Sequence, residues 1–265
     1  MNISDQNIDG GKPFDWGRTS ADYAKFRDIY PQEFYDKIIA QNLCIAGQNI
    51  LDIGTGTGVL PRNLYSHAAK WTGMDLSKEQ IEYAKKLSSG MKIDYYALPA
   101  ENIAFPDYSF DVITACQCFW YFHHEQLMPK ILHMLKPNGH LLVLYMAWLP
   151  FEDPIAGASE NLILKYNPDW SGAKETLHPI AIPEMYYEKF HLTYHAEYPL
   201  KVHFSRETWH GRVKACRGIG ASLSPEEIAS WEKEHLKMLA ETTPAEFDVL
   251  HYAAMAILEI KKMGR

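Results

Sequence analysis

A glycine-rich turn that directly follows a short apolar run constrains the fold more than any other feature of this sequence. The apolar run is Asn49–Ile53, the turn is Gly-Thr-Gly-Thr-Gly at 54–58, and residues 59–67 have helical periodicity. Glycine adopts positive φ at little steric cost and leaves the backbone open to a ligand. A strand, a glycine-rich turn and a helix in this order predict the start of a βαβ unit.

Further strands alternate with helices after this unit. The pattern predicts strands at 71–75, 92–97, 110–117 and 140–146, and helices at 77–87 and 125–135. Such alternation is typical of a parallel sheet covered by helices on both faces. Beyond residue 146 the pattern is mixed, although 192–204 alternates like a strand. Residues 247–260 fit a strand or a helix, and we predict a strand because it would pair with 192–204.

These patterns predict an α/β fold: a doubly wound, mostly parallel Rossmann-like sheet with an antiparallel C-terminal strand and a helical or irregular cap. Residues 1–42 are expected to form an N-terminal helical cap, and 43–148 the core that contains the glycine-rich turn. Residues 149–265 would form a substrate cap and complete the sheet. The first twelve residues are polar and are expected to be disordered.

Composition disfavours several classes of function. The chain has 26 Lys plus Arg and 33 Asp plus Glu, a formal net charge of -7, so no nucleic-acid partner is predicted. No apolar run reaches the roughly 20 residues of a membrane span and no apolar signal core is present, so we expect no membrane insertion and a cytoplasmic location. The 4 Cys and 12 His form no metal-ligand motif, so no metal is predicted.

The spacing of the turn and two nearby carboxylates indicate the kind of ligand. A dinucleotide fingerprint reads G-x-G-x-x-G, whereas the third glycine here comes one residue early and position 59 is Val. Asp52, before the turn, would repel a pyrophosphate but suits a ligand with an ammonium group. Asp75 ends the second predicted strand and can accept hydrogen bonds from two ribose hydroxyls. The alternative for Asp75 is a helix-entry acid before Ser77.

With these features the sequence resembles the class I S-adenosylmethionine-dependent methyltransferases, and among them the small-molecule branch that includes the ubiquinone/menaquinone and trans-aconitate enzymes. The pattern D-x-G-x-G-x-G is met by Asp52, Gly54, Gly56 and Gly58, and the acid after strand two by Asp75. The stretch A-E-x-x-P-F-x-D-x-S-F-D, with its Pro-Phe shifted to Phe105-Pro106, is met by Ala100, Glu101, Asp107, Ser109, Phe110 and Asp111. The signature L-K-P-x-G is met by Leu135, Lys136, Pro137 and Gly139.

The resemblance implies S-adenosylmethionine as the cofactor of residues 43–148 and S-adenosylhomocysteine as its product. It implies that the methionine part faces Gly54, Thr55 and Gly56, and that Gly58 also belongs to the cofactor-binding residues. Asp52 would face the ammonium group through water or backbone. Asp75 would hold the ribose.

The resemblance also implies contacts to the rest of the cofactor. Leu76 would flank the adenine, Ala100 and Glu101 would lie along its edge, and Gln117 would border the sulfonium. Tyr23 and Arg27, four residues apart, occupy the position of N-terminal side chains that close over the cofactor in related enzymes. The alternative is that both belong to a surface helix that packs on the core.

The methyl acceptor is expected to be a small molecule, and its identity, its reacting atom and the oligomeric state stay open. Residues 119–122 are aromatic and would form either a pocket wall or part of the core. His123 and His124 are candidate general bases and Tyr121 is a further candidate, but a loop or helix-cap histidine is the alternative. Two other functions remain possible: a non-catalytic S-adenosylmethionine or S-adenosylhomocysteine binder, and an NAD-dependent oxidoreductase.

Overall fold

The computed structural model describes residues 3–261 and contains a seven-stranded sheet. Its strands are β1 Asn49–Ile53, β2 Lys70–Asp75, β3 Ile93–Ala97, β4 Phe110–Cys116, β5 Leu135–Trp148, β6 Phe190–Ser205 and β7 Glu246–Ile260. The strand order is β3-β2-β1-β4-β5-β7-β6, and β1 to β5 pair in parallel. Strand β7 runs antiparallel to β6. Arg206 N, at the end of β6, donates to Ala245 O at the start of β7, and Lys261 N, at the end of β7, donates to Lys189 O at the start of β6. The predicted α/β class with an antiparallel C-terminal strand is confirmed.

The helices begin at local sequence signals. They are α1 Ser20–Phe26, α2 Gln32–Ala40, α3 Val59–Asn63, α4 Lys78–Leu87, α5 His124–Met134, α6 Pro154–Tyr166, α7 Tyr186–Lys189, α8 Arg206–Lys214 and α9 Pro225–Thr242. Ser77 caps α4 by accepting from Gln80 N, and Ser224 and Glu227 form a capping box at α9. Helix α8 was not predicted, although Ser205 and Thr208 form a capping box there.

The described chain divides into two compact units. The sheet unit comprises residues 30–146, 178–198 and 253–261, and the helix-rich unit comprises 3–29, 147–177 and 199–252. The core of the sheet unit contains fully buried side chains of β1, β4 and β5, among them Leu51, Ile113 and Val143. Burying each such side chain contributes about 1.5–3 kcal/mol. This core holds the strand ends that carry the glycine-rich turn.

Asp111 and Lys136 belong to two of the motifs behind the family resemblance. They lie at the amino ends of β4 and β5, where they stabilise the sheet. Asp111 Oδ2 accepts from Asn49 N at 2.8 Å and from Lys136 Nζ at 2.7 Å. One carboxylate therefore ties together the starts of β1, β4 and β5. Parallel strands bind ligands at their carboxyl ends, so the role of Asp111 is structural.

The N-terminal segment of the helix-rich unit is ordered, so the prediction of disorder is wrong for residues 3–12. Ile3 and Phe14 exchange backbone hydrogen bonds of 2.8 and 2.9 Å. The buried Asp9 carboxylate lies 3.1 Å from Arg217 Nε and accepts from Ser171 N at 2.7 Å. These partners are remote in sequence, so composition alone did not reveal them. Residues 1 and 2 lie outside the described chain.

Across residues 3–261, every helix is too short or too polar to cross a lipid bilayer.

Candidate functional site

The backbone of the glycine-rich turn lies at the carboxyl end of β1. Gly54, Gly56 and Gly58 have φ of 67°, 56° and 75°, the left-handed region that side chains rarely adopt. Thr55 N donates to Met74 O at 2.8 Å, which fixes the turn against the end of β2. The glycines therefore permit a turn that side chains would strain, at the edge of the sheet where parallel strands bind their ligands.

Asp52 is a buried carboxylate beneath this turn. Its two oxygens accept from the hydroxyls of Thr55 and Thr114, each at 2.6 Å. Burial raises the pKa of Asp52 to about 6, although the two hydroxyl hydrogen bonds act in the opposite direction. The group is therefore ionised at neutral pH and becomes neutral in mildly acidic solution.

Asp75, at the end of β2, bridges two turns. Its Oδ2 accepts from Gly56 N at 3.0 Å, and its Oδ1 accepts from Ser77 N at 2.9 Å. A carboxylate offers about four acceptor positions, so each oxygen retains capacity for another donor. Asp75 thus both shapes the glycine-rich turn and can accept hydrogen bonds from a vicinal diol. Its observed role in helix entry is compatible with the predicted contact to a ribose.

The side of the turn that faces the protein is tightly filled. An ideal Cβ on Gly54 would lie 2.6 Å from Cys118 Sγ, and one on Gly58 would overlap the Tyr95 hydroxyl. Burial raises the pKa of the Cys118 thiol well above its usual range, so Cys118 acts here as a small apolar side chain. Glycine is required at these positions by both the backbone conformation and the space.

Gln117 leaves the carboxyl end of β4 with φ of 65°. Its backbone N donates to Leu144 O at 2.9 Å, and its side-chain Nε2 donates to Met146 O. These bonds fix the exit of β4 beside the end of β5. Nearby, the Trp120 ring is 43% exposed and stands edge-on to Tyr145, with ring centroids 4.8 Å apart. The strand ends therefore present an aromatic surface as well as polar groups.

The predicted adenine-binding residues occupy the loops after β2 and β3. Leu76 is half-buried directly after Asp75. Ala100 is buried at the start of a 3-10 helix, Ala100–Asn102. The Glu101 carboxylate accepts from His123 N at 2.9 Å, so it also stabilises the entry to α5.

The aromatic run 119–122 divides between core and surface. Phe119 is buried and packs against His124, with ring centroids 4.6 Å apart. His124 Nδ1 lies 3.0 Å from the hydroxyl of the fully buried Tyr186, and burial lowers the pKa of His124. His123 is exposed and Tyr121 is partly exposed. Of the candidate bases, His124 therefore participates in core packing.

Tyr23 and Arg27 lie in the helix-rich unit, on α1 and at its C-cap. The Arg27 guanidinium carbon lies 4.8 Å from the centroid of the Tyr23 ring, so the expected spacing brings the two side chains together. The Trp16 ring meets Tyr23 edge-on at 6.4 Å. Their contact with a cofactor stays a prediction.

Sequence reasoning missed Thr114, which binds Asp52 from the neighbouring strand. The available signal was a hydroxyl residue within the otherwise apolar run of β4, Phe110–Cys116. Within residues 3–261, no group of three or more His, Cys, Asp or Glu side chains is arranged to hold a metal ion.

Comparison with known proteins gives consistent matches. Residues 51–143 match the family described as a methyltransferase domain. A methyltransferase-like protein of Schizosaccharomyces pombe is 34% identical over 46% of this chain and 47% of its own length. The ubiquinone biosynthesis O-methyltransferase of Marinobacter nauticus is 29% identical over 58% of this chain and 68% of its own length. The chain thus spans about half to two-thirds of these curated relatives.

The fold also matches solved structures. The YcgJ protein from Bacillus subtilis superposes with a TM-score of 0.52 at 20% identity, covering 88% of this chain and 100% of the other. At this level of identity the likeness concerns the fold alone.

Proposed function

We propose that this chain, whose residues 51–143 match a methyltransferase domain, transfers the methyl group of S-adenosylmethionine to a small-molecule acceptor. The observation that carries the proposal is the Asp75 carboxylate, which accepts from Gly56 N and Ser77 N and retains acceptor capacity beside the glycine-rich turn. A ribose diol requires two such acceptor positions.

The residues of the sheet unit fit the other parts of this cofactor. The backbone of Gly54, Thr55 and Gly56 would accommodate its amino-acid portion, and the ionised Asp52 beneath would favour its ammonium group. Leu76 and Ala100 would border the adenine, and Gln117 the sulfonium. Glu101 would lie along the adenine edge while it stabilises the start of α5.

Methyl transfer requires mainly that the protein align the acceptor with the methyl group. When bound, S-adenosylmethionine supplies an electrophilic methyl group that an oxygen, nitrogen or carbon nucleophile displaces in line. The protein must orient the acceptor and exclude water. The rings of Trp120 and Tyr145 can favour a cation through their faces. Since His124 packs in the core, exposed His123 is the better candidate to take a proton from the acceptor.

The alternatives are less well supported. An NAD-dependent oxidoreductase would place a pyrophosphate at the turn above Asp52, where a second negative charge is unfavourable. A non-catalytic binder would share the same cofactor contacts, so binding alone does not separate it from an enzyme.

Calorimetric titration with S-adenosylhomocysteine tests the proposal. We expect 1:1 binding to the unmodified protein, and we expect Asp75→Asn to weaken it by about tenfold to a hundredfold because charge-assisted hydrogen bonds to the ribose are lost. Asp94→Asn makes the same charge change at an exposed position on β3 and should leave the affinity unchanged.

Tight binding of NAD without binding of S-adenosylhomocysteine would contradict the proposal. Release of S-adenosylhomocysteine from S-adenosylmethionine in the presence of phenols, carboxylic acids and amines would separate an enzyme from a binder. No release with any acceptor, despite cofactor binding, would favour the binder.

Affinity for S-adenosylhomocysteine should also depend on pH through Asp52. Its raised pKa of about 6 means that the carboxylate is ionised above this value and neutral below it. Since the ligand ammonium favours the ionised form, affinity should fall by up to about tenfold for each pH unit below 6. In Asp52→Asn the group cannot ionise, so a pH dependence as steep as in the unmodified protein would rule out this role.

A further inference from the structure

The loop that follows β4 lies directly against the glycine-rich turn, and both belong to the sheet unit. Cys118 Sγ donates to Ile53 O at 3.1 Å. An ideal Cβ on Gly54 would lie 2.6 Å from that sulfur and 3.5 Å from Phe122 Cζ. The loop is therefore fixed beside the end of β1, where the proposed cofactor would bind.

Three aromatic rings meet at steep angles in this place. The Trp120 ring, 43% exposed, is perpendicular to the Tyr145 ring of β5, with centroids 4.8 Å apart. The Tyr121 ring makes an angle of 50° with Trp120 at a centroid distance of 5.8 Å. Tyr121 N donates to Cys118 O at 3.0 Å, so the rings are tied to the residue that contacts the turn. Trp120, Tyr121 and Tyr145 thus form an aromatic corner at the carboxyl ends of β4 and β5.

The charged groups around the aromatic corner are acidic. Residues 93–129, from β3 into α5, contain five Asp or Glu and no Lys or Arg. The Glu101 carboxylate accepts from His123 N at 2.9 Å, immediately after the aromatic loop. Asp52 and Asp75 lie at the ends of the neighbouring strands β1 and β2. Such a set of carboxylates creates a negative potential, which favours a cationic ligand and opposes an anionic one.

Ring faces and negative potential favour the same class of ligand. The π faces of Trp and Tyr attract an alkylammonium ion, and rings at steep angles can contact it from more than one side. A carboxylic acid would find no counter-ion in this stretch of chain. A phenol reacts as its phenolate, whose negative charge the carboxylates would oppose. The aromatic corner therefore suits an amine better than an acidic acceptor.

We propose that Trp120, Tyr121 and Tyr145 bind the methyl acceptor, and that this acceptor is a small alkylamine. The assignment rests on the proposed methyltransferase function and specifies its substrate class. The amine reacts after its ammonium form has lost a proton to solvent. Its nitrogen lone pair forms the new N–C bond, while the S–C bond to the methyl group breaks and leaves its electrons on sulfur. The positive charge thus passes from sulfur to nitrogen, and the aromatic corner stabilises the resulting alkylammonium product.

Calorimetric titration in the presence of saturating S-adenosylhomocysteine tests the acceptor class. Choline is the probe for the alkylammonium, and 3,3-dimethyl-1-butanol is its uncharged counterpart, in which carbon replaces nitrogen. Choline should bind 1:1 and at least about fivefold more tightly than the alcohol, because the ring faces attract only the cation. We expect no binding of 4-hydroxybenzoate, which carries the opposite charge.

Trp120→Leu should weaken choline binding by about fivefold to thirtyfold and bring it close to that of the alcohol. Trp120→Phe keeps a ring with a weaker attraction for cations, so it should give an intermediate affinity and provides the comparison if Trp120→Leu does not fold. The matched control is Tyr108→Leu, which removes a 60% exposed ring from the loop before β4, at the amino ends of the strands. It should leave the affinity for choline unchanged.

The proposal is overturned if choline does not bind, if the alcohol binds as tightly as choline, or if 4-hydroxybenzoate binds more tightly. It is also overturned if both Trp120 variants bind choline as tightly as the unmodified protein. Titration of the same samples with S-adenosylhomocysteine alone keeps the two levels apart. Absence of cofactor binding would count against the methyltransferase function, whereas intact cofactor binding without choline binding would count only against the amine acceptor.

Discussion

Acidification from pH 6.5 to pH 4 should remove about 3 kcal/mol of stability for each of two buried histidines in the helix-rich unit, His235 and His251. Burial lowers the pKa of each to about 3 from an ordinary value of 6.5. Both side chains have an exposed fraction of 0% in the folded protein. The unfolded chain therefore binds protons that the folded chain excludes.

The hydrogen bonds around His235 explain why it must stay neutral. The Glu232 carboxylate, 3.5 Å from His210 Nε2, only accepts, so His210 carries its proton on Nε2. His210 Nδ1 therefore accepts from His235 Nδ1 at 2.8 Å, and His235 Nε2 accepts from the Ser159 hydroxyl at 2.9 Å. Ser159 Oγ accepts in turn from Trp209 Nε1 at 2.9 Å. This hydrogen-bond network joins α6, α8 and α9. Each imidazole in it donates through one nitrogen and accepts through the other, so protonation of the accepting nitrogen would break a hydrogen bond.

The direction of the pH dependence follows from the lowered pKa values. The stabilisation is fully present above pH 6.5, where the unfolded histidines are also neutral. It is lost progressively as the pH falls toward the folded-state pKa of about 3. Asp52, in the sheet unit, acts in the opposite direction, because its pKa is raised to about 6 and the folded form is favoured by its protonation.

Urea unfolding at constant ionic strength isolates each contribution. The difference in unfolding free energy between the unmodified protein and His235→Gln should fall by about 1.4 kcal/mol per pH unit below 6.5, and likewise for His251→Gln. His203→Gln is the control, since exposed His203 pairs with Asp248 and its pKa is raised by that hydrogen bond. Differences that stay constant between pH 6.5 and pH 4 would contradict the prediction.

Gly58→Ala should destabilise the protein by about 2–5 kcal/mol and weaken S-adenosylhomocysteine binding with it. Gly58 has φ of 75° immediately before α3, and a side chain there costs strain. The new Cβ would also overlap the Tyr95 hydroxyl and lie 3.0 Å from Tyr95 Cζ. That hydroxyl is within 2.9 Å of Ser88 Oγ and cannot move away without losing this hydrogen bond.

A double-mutant cycle with Tyr95→Phe separates strain from overlap. Tyr95→Phe alone should cost about 1 kcal/mol, and Gly58→Ala/Tyr95→Phe should be more stable than the sum of the single effects by about 1 kcal/mol or more. Gly47→Ala is the matched control, because Gly47 has φ of 86° but no atom within 4 Å of an added Cβ. Its cost should be the backbone strain only. Strict additivity of Gly58→Ala and Tyr95→Phe would show that the hydroxyl does not limit the space.

Much of the sheet could be predicted because its signals are local. The apolar runs of β1 to β4 and the cap at Ser77 lie where the pattern placed them, within one or two residues. Strand β5 is longer than predicted, since it begins at Leu135 directly after α5. The terminal strand β7 was ambiguous by itself and followed only from the need of β6 for a partner.

The candidate site was predictable in part for the same reason. Asp52, the turn glycines and Asp75 are adjacent to strand ends, so their position followed once the strands were identified. The hydrogen-bond partners of these residues were harder to predict from the sequence, because Thr114 and Asp52 are 62 residues apart along the chain. For the aromatic run, the pattern could not decide that Phe119 enters the core while Trp120 stays exposed.

By itself, the sequence determined the βαβ alternation, the bend after Ile53 and the acid that follows β2, because residues within a few positions of each other set dihedral angles, periodicity and helix caps. Only the tertiary structure decided that Asp9 meets Arg217, that Ser159 meets His235 and that His251 is fully buried. Such pairs are separated by long stretches of chain, so their proximity depends on how all the intervening elements pack.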